Sequence, residues 1–229
     1  MRFFGLSDLH LGHAVAKPMD VFGDHWKDHP ARIAVAWRET VGEEDVVFCP
    51  GDLSWGMTLD EAAPDLAFIA ALPGTKVFVK GNHDYWWSSV GQVRALCPAR
   101  MVFLQNDAAS FGDVAVCGTR GWSLPGTPEH GADDEKYVKR ELDRLRRSAE
   151  RMPKSATRVA LLHYPPLLAG LEATPWTALL EELSIDLCVY GHLHLPHETP
   201  PVEGRRGRVE YRLVSADHLG FRPERLLER

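Results

Sequence analysis

The stretch Val77-Phe78-Val79-Lys80-Gly81-Asn82-His83-Asp84 joins a short apolar run to a turn that carries potential metal-binding groups. An apolar run bounded by a glycine is typical of a buried strand, so the turn is expected where this strand leaves its sheet. Gly81 lets the backbone bend, Asn82 offers a carbonyl oxygen, His83 offers an imidazole, and the Asp84 carboxylate is able to fix the tautomer of that imidazole. Taken alone, such a stretch is more often an ordinary turn than a catalytic one, so its meaning depends on the rest of the chain.

Apolar runs of similar length recur along the chain, and helical patterns separate several of them. The runs fall at residues 2–6, 46–49, 77–79, 101–104, 114–117, 159–162, 187–190 and 209–214. Helical patterns fall at residues 31–41, 58–72, 133–152 and 174–183, and Pro64 is a potential break in the second of them. Strands that alternate with helices predict an α/β protein.

Five of the predicted strands run directly into side chains that bind metals. In open α/β sheets, ligands bind outside the carboxyl ends of the strands. The residues that follow the five strands are, in order, Asp8 and His10, then Asp52, then Asn82 and His83, then His163, and finally His192 and His194. Each has a simpler interpretation as a turn cap or a hydrogen-bonded core histidine. Together, however, buried acids and histidines at one sheet edge would be costly without a partner, and a metal supplies one.

One domain is expected over residues 1–229, because the 229-residue chain is 45% hydrophobic and contains no linker, repeat or low-complexity tract. The formal net charge of −6 argues against an extended nucleic-acid-binding face and against affinity for anionic membranes. No run of about 18 apolar residues occurs and Asp8 closely follows the first predicted strand, so a cytoplasmic protein is expected. The four cysteines are too dispersed for a CxxC site and are interpreted as reduced packing residues.

Read in order, the motifs Asp-x-His, Gly-Asp, Gly-Asn-His-Asp, His and Gly-His-x-His resemble the signature of the calcineurin-like metallophosphoesterase superfamily, and they span residues 8 to 194. The resemblance implies a four-layer αββα sandwich with two mixed β-sheets. It also implies that Asp8, His10 and His194 hold one metal ion, that Asn82, His163 and His192 hold a second, and that Asp52 bridges both. By the same resemblance, His83, oriented by Asp84, would contact the phosphate or protonate the leaving group while a metal-bridging hydroxide attacks.

The types of ligand atom limit which metal ions the site would bind. Imidazole and oxygen ligands without a thiolate suit Mn, Fe, Co, Ni or Zn and disfavour a magnesium site. The family resemblance favours Mn or Fe, and the choice among the transition metals stays open. Two divalent ions with two acids give a positive pocket inside an acidic protein, which suits a phosphate-ester substrate.

The short, uninterrupted signature most resembles the class III cyclic-nucleotide phosphodiesterase type. It predicts a phosphodiesterase that acts on small nucleotide-like substrates, with cyclic nucleotides among the candidates. A phosphomonoesterase of broad specificity is the alternative. A non-catalytic scaffold with this fold is a further alternative, which the complete set of motif residues disfavours. The physiological substrate, the native metal and the oligomeric state stay open.

Two long segments outside the motifs are candidates for substrate recognition. Residues 11–30 follow the first motif, and residues 119–132 follow the strand at 114–117. Long loops are functional more often than short ones, although each is also compatible with an ordinary surface excursion. Within them, His13, Arg120 and Trp122 are the predicted substrate contacts.

Overall fold

Strands alternate with helices along most of the chain, as the sequence predicts. The protein was analysed as a computed structural model, which describes residues 1–155, 157–167, 172–195 and 200–229. The strands are β1 (Arg2–Gly5), β2 (Val46–Cys49), β3 (Thr75–Phe78), β4 (Met101–Phe103), β5 (Ala109–Phe111), β6 (Val114–Thr119), β7 (Thr157–Leu162), β8 (Leu187–Tyr190), β9 (Gly204–Arg206), β10 (Val209–Leu213) and β11 (Glu224–Glu228). The α-helices are α1 (His29–Thr40), α2 (Leu59–Ala70), α3 (Val90–Leu96), α4 (Glu135–Glu150) and α5 (Pro175–Glu182), and two 3-10 turns cover Met19–Phe22 and Asp24–Trp26.

All eight predicted strands and all four predicted helices are present, with boundaries that differ by a few residues. The helix α2 continues through Pro64, because its N-terminus is held by the Thr58 side chain, which accepts a hydrogen bond from the Glu61 amide, and its apolar face packs against a sheet. The sequence did not predict β5, β9, β11 or α3. These elements are short, and their residues are mostly half-buried or exposed, so they lack a strong hydrophobic pattern.

Two mixed sheets carry the strands. The first has the order β11-β1-β2-β3-β4, in which β1 to β4 are parallel and β11 pairs antiparallel with β1. The second has the order β5-β6-β7-β8-β10-β9, in which β6, β7, β8 and β10 are parallel and the edge strands β5 and β9 are antiparallel. The parallel strands therefore bring their carboxyl ends together at one edge of each sheet.

Three apolar clusters show how the two sheets stack. One cluster joins residues from both sheets, including Phe48 and Val77 from the first and Val116 and Leu161 from the second. A second cluster lies between the other face of the first sheet and helices α1, α2 and α3. A third lies between the other face of the second sheet and helices α4 and α5. The predicted four-layer αββα sandwich is confirmed.

The two sheets meet at the edge formed by their carboxyl ends. The Ser7 amide donates to the Val214 carbonyl at 2.7 Å, and the Ala216 amide donates to the Ser7 carbonyl at 2.9 Å. These bonds form a parallel bridge between Ser7, beyond β1, and Ser215, beyond β10. The loops that follow β1, β2, β3, β7 and β8 are therefore gathered at one place. None of the helices in the described ranges is long and apolar enough to cross a bilayer.

Candidate metal centre

The loops at this shared edge bring the predicted ligands together. Donor atoms of Asp8, His10 and His194 all lie within 4.8 Å of one another. Donor atoms of Asp8, Asp52 and His163 form a second group within the same limit. The first group contains the three residues that the family resemblance assigned to one metal ion, and the second contains the residue that it assigned to both.

In the first group, the side chains face one another at distances that suit ligands of a single ion. The Nε2 atoms of His10 and His194 are 3.1 Å apart. His10 Nε2 also lies 3.8 Å from Oδ2 of Asp52, the residue that the resemblance assigned to both ions. Nitrogen and oxygen ligands lie about 2.0–2.2 Å from a transition metal, so two ligands of one ion are expected about 3–4 Å apart. The observed separations fall in this range.

The remaining ligand candidates surround His163. Its Nε2 atom lies 2.5 Å from Asn82 Oδ1, 3.2 Å from His192 Nδ1 and 3.6 Å from Asp52 Oδ2. Asn82 Oδ1 is also 3.0 Å from His192 Nδ1. All seven predicted metal ligands are therefore in one continuous cluster.

The protonation of His163 shows why this cluster suits a cation. Its Nδ1 atom donates to the Pro50 carbonyl at 2.9 Å. Burial lowers the pKa of His163 to about 3, so the ring is neutral and Nε2 carries a lone pair. That lone pair faces the carbonyl oxygen of Asn82 and the carboxylate of Asp52, which are also acceptors. Acceptors that face one another in a buried site repel unless a cation lies between them, so these residues fit a metal ion.

Burial also shifts the other titrating groups of the cluster. It lowers the pKa of His10 well below its ordinary value, and it lowers the pKa of His192 to about 4, with neighbouring histidines adding to both effects. The pKa of Asp52 is raised well above its ordinary value by burial and by the nearby Asp84 and Asp8 carboxylates. His194 differs, because Asp217 and Asp8 outweigh the effect of burial and raise its pKa. The imidazoles are thus mostly neutral, and they lie beside acids that repel one another.

The backbone at the ligands is held in an uncommon conformation. Asp8, His10, Asp52 and His192 have φ angles of 55°, 43°, 53° and 73°, in the left-handed region. Such angles are uncommon for residues other than glycine, and they concentrate at functional sites. Four of the seven predicted ligands share this feature, which turns the chain sharply as each strand ends.

Two motif glycines allow the loops to approach closely. A Cβ atom at Gly81 would lie 2.0 Å from Asp52 Oδ1, and one at Gly191 would lie 2.4 Å from Asp8 Oδ2. Any side chain at either position would displace a predicted ligand. The Gly-Asn-His and Gly-His motifs therefore need their glycines for packing at the site.

Residues that the sequence analysis did not identify hold the ligands in place. The Asp8 carboxylate accepts hydrogen bonds from the hydroxyls of Ser7 and Ser215 and from the His192 amide. Asp217 Oδ1 lies 3.1 Å from His194 Nδ1, which leaves His194 Nε2 to face His10. Such outer contacts fix the tautomer and orientation of a ligand. Ser215 and Asp217 follow β10, far from the motifs in sequence, so no motif indicated them.

The hydrogen bonds of Asp84 differ from the contact with His83 that the sequence predicted. Its carboxylate is fully buried and accepts hydrogen bonds from the amides of Gly81, Asp52 and Leu53 at 2.8–2.9 Å and from Trp86 Nε1 at 3.0 Å. Within the described residues, the carboxylate also accepts from the Ser54 amide at 3.4 Å, and it forms no hydrogen bond with the His83 ring. Asp84 therefore joins the loop after β2 to the loop after β3, because backbone amides of both loops converge on it.

His83 lies at the side of the cluster, half-buried. Its amide donates to Asp52 Oδ1 at 2.8 Å, and its ring centre is 5.8 Å from that of His10 and 4.6 Å from that of Trp55. Burial, His194 and Lys17 lower the pKa of His83. The ring is next to the ligands without being among them, so its nitrogen atoms are available to a bound substrate.

Of the predicted substrate contacts, His13 and Arg120 line different cavities. His13 Nδ1 is 2.6 Å from Asp65 Oδ1, and His13 shares with His10 a cavity of about 280 Å³. The Arg120 guanidinium lies over the Trp122 ring, 4.4 Å from its centre. The loop at 119–132 also places Glu129 Oε2 3.9 Å from His192 Nε2, a contact that the sequence did not indicate.

Comparison with known proteins identifies the family. A family model described as calcineurin-like phosphoesterase matches residues 1–196. Two curated relatives are called Gene 66 protein and come from Mycobacterium phages L5 and D29; they are 38% identical over 78 residues and 44% identical over 79 residues. Each match covers 34% of this chain but only 37% or 38% of the relative, so the chain matches little more than a third of the length of these phage proteins.

Two solved structures share the fold. A protein of unknown function, AQ665 from Aquifex aeolicus, superposes with a TM-score of 0.56 over 98% of this chain and 95% of its own. The phosphopantetheinyl hydrolase PptH from Mycobacterium tuberculosis gives 0.59 over 100% of this chain and 96% of its own. Both are 16% identical to this chain, a level at which the likeness establishes the fold. Because the family model spans most of the sequence, the chain belongs to the calcineurin-like phosphoesterase family, as its motifs predicted.

Proposed function

We propose that this protein is a phosphoester hydrolase that uses two divalent transition-metal ions. The observation that supports this proposal is the cluster of seven facing donor groups at the carboxyl ends of the strands. In this proposal Asp8, His10 and His194 hold one ion. Asn82, His163 and His192 hold the other, and Asp52 contacts both.

The donor chemistry supports a first-row transition metal. Four imidazoles, two carboxylates and one amide oxygen suit Mn, Fe, Co, Ni or Zn, and Mn or Fe is favoured by the family resemblance. When bound, two such ions supply Lewis acidity that neutralises charge on the phosphoryl oxygens. The loops of this chain fix the positions of the ligands, because Asp84, Pro50 and Asp217 each anchor a loop or a ring at the site.

In this proposal His83 acts on the substrate directly. Its amide is fixed by Asp52, and its ring packs against Trp55 and His10 without binding a metal. From this position the imidazole is able to hydrogen-bond a phosphoryl oxygen or to donate a proton to the leaving oxygen. Proton donation matters most when the leaving group is a basic alkoxide such as a ribose hydroxyl.

The finer proposal is a phosphodiesterase that acts on a small nucleotide-like substrate. It is supported by the resemblance to class III cyclic-nucleotide phosphodiesterases and by the aromatic and basic groups beside the cluster. Trp55 stacks on His10, and Lys17 lies over the Trp55 ring, 5.2 Å from its centre. A phosphomonoesterase of broad specificity is the second candidate function, because the same ligands suit both reactions.

An activity panel tests the proposal. The protein loaded with Mn is assayed with a cyclic nucleotide, with bis-p-nitrophenyl phosphate and with p-nitrophenyl phosphate. We expect turnover that a chelator abolishes, with kcat/KM higher for the diesters than for the monoester. A higher kcat/KM for the monoester would favour the phosphomonoesterase. Absence of turnover with each of the candidate transition metals would contradict the proposed enzyme.

A further inference from the structure

A polar cavity of about 240 Å³ lies beside the metal centre, between the first turn after β3 and the start of the loop after β6. Basic side chains from three segments line it, namely Lys80 after β3, Arg120 after β6, and Arg140 and Arg144 on α4. Glu141 is the one acidic residue in its lining. We refer to this cavity as the basic pocket. It has four cationic groups against one carboxylate, inside a protein whose net charge is −6.

Glu141 neutralises only one side of the basic pocket. Its fully buried carboxylate lies 2.8 Å from Arg144 and 3.2 Å from Arg140, and it accepts a hydrogen bond from the Thr119 hydroxyl at 2.5 Å. Within the described residues, neither Lys80 nor Arg120 forms a salt bridge with a carboxylate. Lys80 Nζ donates to the Trp87 carbonyl at 2.6 Å, and the Arg120 guanidinium packs on the Trp122 ring. These two cations keep their charge available to a bound group.

Three residues that line the basic pocket carry a buried polar atom that lacks a partner. In the described part of the protein, Arg120 Nε, Trp87 Nε1 and Asn106 Oδ1 have no hydrogen-bond partner. Two of these atoms are N–H donors. Buried polar groups are nearly always satisfied in proteins, so unsatisfied donors beside unpaired cations indicate a site for a ligand that offers anionic oxygens.

The segments that line the basic pocket adjoin the segments that carry the predicted metal ligands. The Arg120 carbonyl accepts hydrogen bonds from the amides of His163 and Tyr164, each at 3.0 Å. Lys80 is two residues before Asn82, and β6 is the direct neighbour of β7, which ends at His163. Neighbouring strands are about 4.8 Å apart. The pocket is thus expected about one to two strand spacings from the candidate metal ligands, roughly 5–10 Å.

We propose that the basic pocket binds a second phosphate group of the substrate, and that Lys80 and Arg120 are its principal contacts. This inference rests on the proposed function and deepens it, because it names the substrate class. The substrate is a phosphate ester that carries another phosphate about one sugar away from the ester that is cleaved, as in a nucleotide with phosphates on both its 3′ and 5′ oxygens.

Two chromogenic esters that differ only in the second phosphate test the inference. Thymidine 5′-(p-nitrophenyl phosphate) carries only the ester to be cleaved, and its 3′-phosphorylated form carries the additional phosphate. For the Mn-loaded enzyme we expect kcat/KM to be about ten- to hundredfold higher for the 3′-phosphorylated ester, the effect of one or two charge-assisted hydrogen bonds. The p-nitrophenolate leaving group is the same in both esters, so the ratio reports binding of the second phosphate.

Substitutions in the basic pocket test whether it causes the preference for the 3′-phosphorylated ester. In Arg120→Gln and Lys80→Gln we expect the ratio between the two esters to fall toward one. Arg147→Gln is the matched control, because Arg147 is an exposed arginine on α4 that does not line the pocket. We expect it to keep the preference of the unsubstituted enzyme.

An unsubstituted enzyme that turns over both esters with equal kcat/KM would overturn the inference while leaving the proposed hydrolase intact. A preference that survives in both pocket variants would also overturn it.

Binding of inorganic phosphate tests the basic pocket without turnover. In chelator the metal ions, which would themselves attract phosphate, are absent. Calorimetric titration of phosphate should then show saturable binding that Arg120→Gln weakens about tenfold and Arg147→Gln leaves unchanged. If neither ester is hydrolysed, the proposed function fails and this titration decides the inference by itself. Absence of phosphate binding to the unsubstituted chain in that case would overturn it.

Discussion

Buried charged groups have different surroundings at the amino ends and at the carboxyl ends of the strands in the first sheet. At the amino ends of the strands, each buried ionic group has partners within the chain. The Asp45 carboxylate before β2 accepts from the Arg2 side chain at 2.6 Å, from the Arg2 amide at 2.8 Å and from the Gly42 amide at 2.9 Å. The Lys76 ammonium in β3 donates to the carbonyls of Ala70 and Leu72 at the end of α2. The buried charges of Asp45 and Lys76 therefore need no bound ion.

At the carboxyl ends, groups of like character face one another. Imidazole nitrogens of His10 and His194 meet at 3.1 Å, and the His163 lone pair faces the oxygens of Asn82 and Asp52. His10 and Asp52 also have left-handed backbone angles. Asp52 and His163 are buried as deeply as Asp45 and Lys76 at the other end, so burial does not explain the difference. A buried polar cluster whose groups are all hydrogen-bonded within the chain has a structural role. A buried cluster in which acceptor atoms face one another indicates a binding site for a cation.

The largest expected effect is on catalysis, and it is seen when an aspartate at each end of the first sheet is replaced by asparagine. Asp52→Asn should lower kcat/KM for bis-p-nitrophenyl phosphate by about a thousandfold or more, because Lewis-acid stabilisation amounts to several kcal/mol and Asp52 is proposed to contact both ions. Asp45→Asn should leave kcat/KM within about twofold, in the range of a neutral distant change. Steady-state kinetics with Mn measure both. Normal activity of the Asp52 variant would remove the functional distinction between the two ends.

A smaller effect on catalysis is expected for His83, which lies at the same end as the predicted ligands but is proposed to act on the substrate. His83→Ala should slow hydrolysis of a nucleotide diester by about a hundredfold, within the range for general acid catalysis, and should affect bis-p-nitrophenyl phosphate much less. Metal content should not change. Kinetics on the two substrates and elemental analysis provide the readout. Equal losses on both substrates would mean that His83 stabilises phosphoryl charge and does not donate a proton, while loss of metal would place it among the ligands.

The two ends should also respond oppositely in stability when metal is removed. In chelator, Asp52→Asn should raise the free energy of unfolding, because it removes a carboxylate that is destabilised by burial and by repulsion from Asp84 and Asp8. Asp45→Asn should lower it by about 1–3 kcal/mol, because it weakens a satisfied ion pair and leaves donors without a full partner. Urea unfolding in chelator measures both changes. Changes of the same sign would contradict the comparison.

The smallest expected effect is a pH dependence at the amino end. Burial lowers the pKa of Lys76 to about 8, below its ordinary value of 10.5. Between these two pH values the unfolded chain binds a proton that the folded chain lacks, so the contribution of Lys76 to stability rises with pH. Relative to Lys76→Met, the unsubstituted protein should gain on the order of 1 kcal/mol between pH 8 and pH 9. A difference between the two proteins that stays constant over this range would show that the Lys76 pKa is not depressed.

The sequence predicted the fold and identified the residues that gather at the shared edge, because both depend on local pattern. A buried strand and the ligand that follows it are adjacent in the chain, as in the stretch from Val77 to His83, so the strand end and its chemistry are visible together. Even so, the pattern missed β11, whose sequence Glu-Arg-Leu-Leu-Glu is more charged than a typical strand. That strand is stabilised by its pairing with β1, which comes from the other end of the chain.

The contacts that support the ligands were less predictable, because they join segments distant in sequence. Asp84 was expected to orient its neighbour His83, but the loop after β2 supplies amide donors that take up its carboxylate. Asp217 reaches His194 only because the bridge between Ser7 and Ser215 joins the two sheets. The basic pocket likewise combines residues from three segments whose approach no sequence motif reports.

Metal content tests the central claim most directly. The protein is expressed with added Mn, dialysed against metal-free buffer and analysed for transition metals, together with Asp52→Asn and Asp45→Asn. We predict about two ions per chain in the unsubstituted protein and in Asp45→Asn, and fewer in Asp52→Asn, because Asp52 is proposed to contact both ions. A chain that contains no transition metal and retains full phosphoesterase activity in chelator would contradict the account.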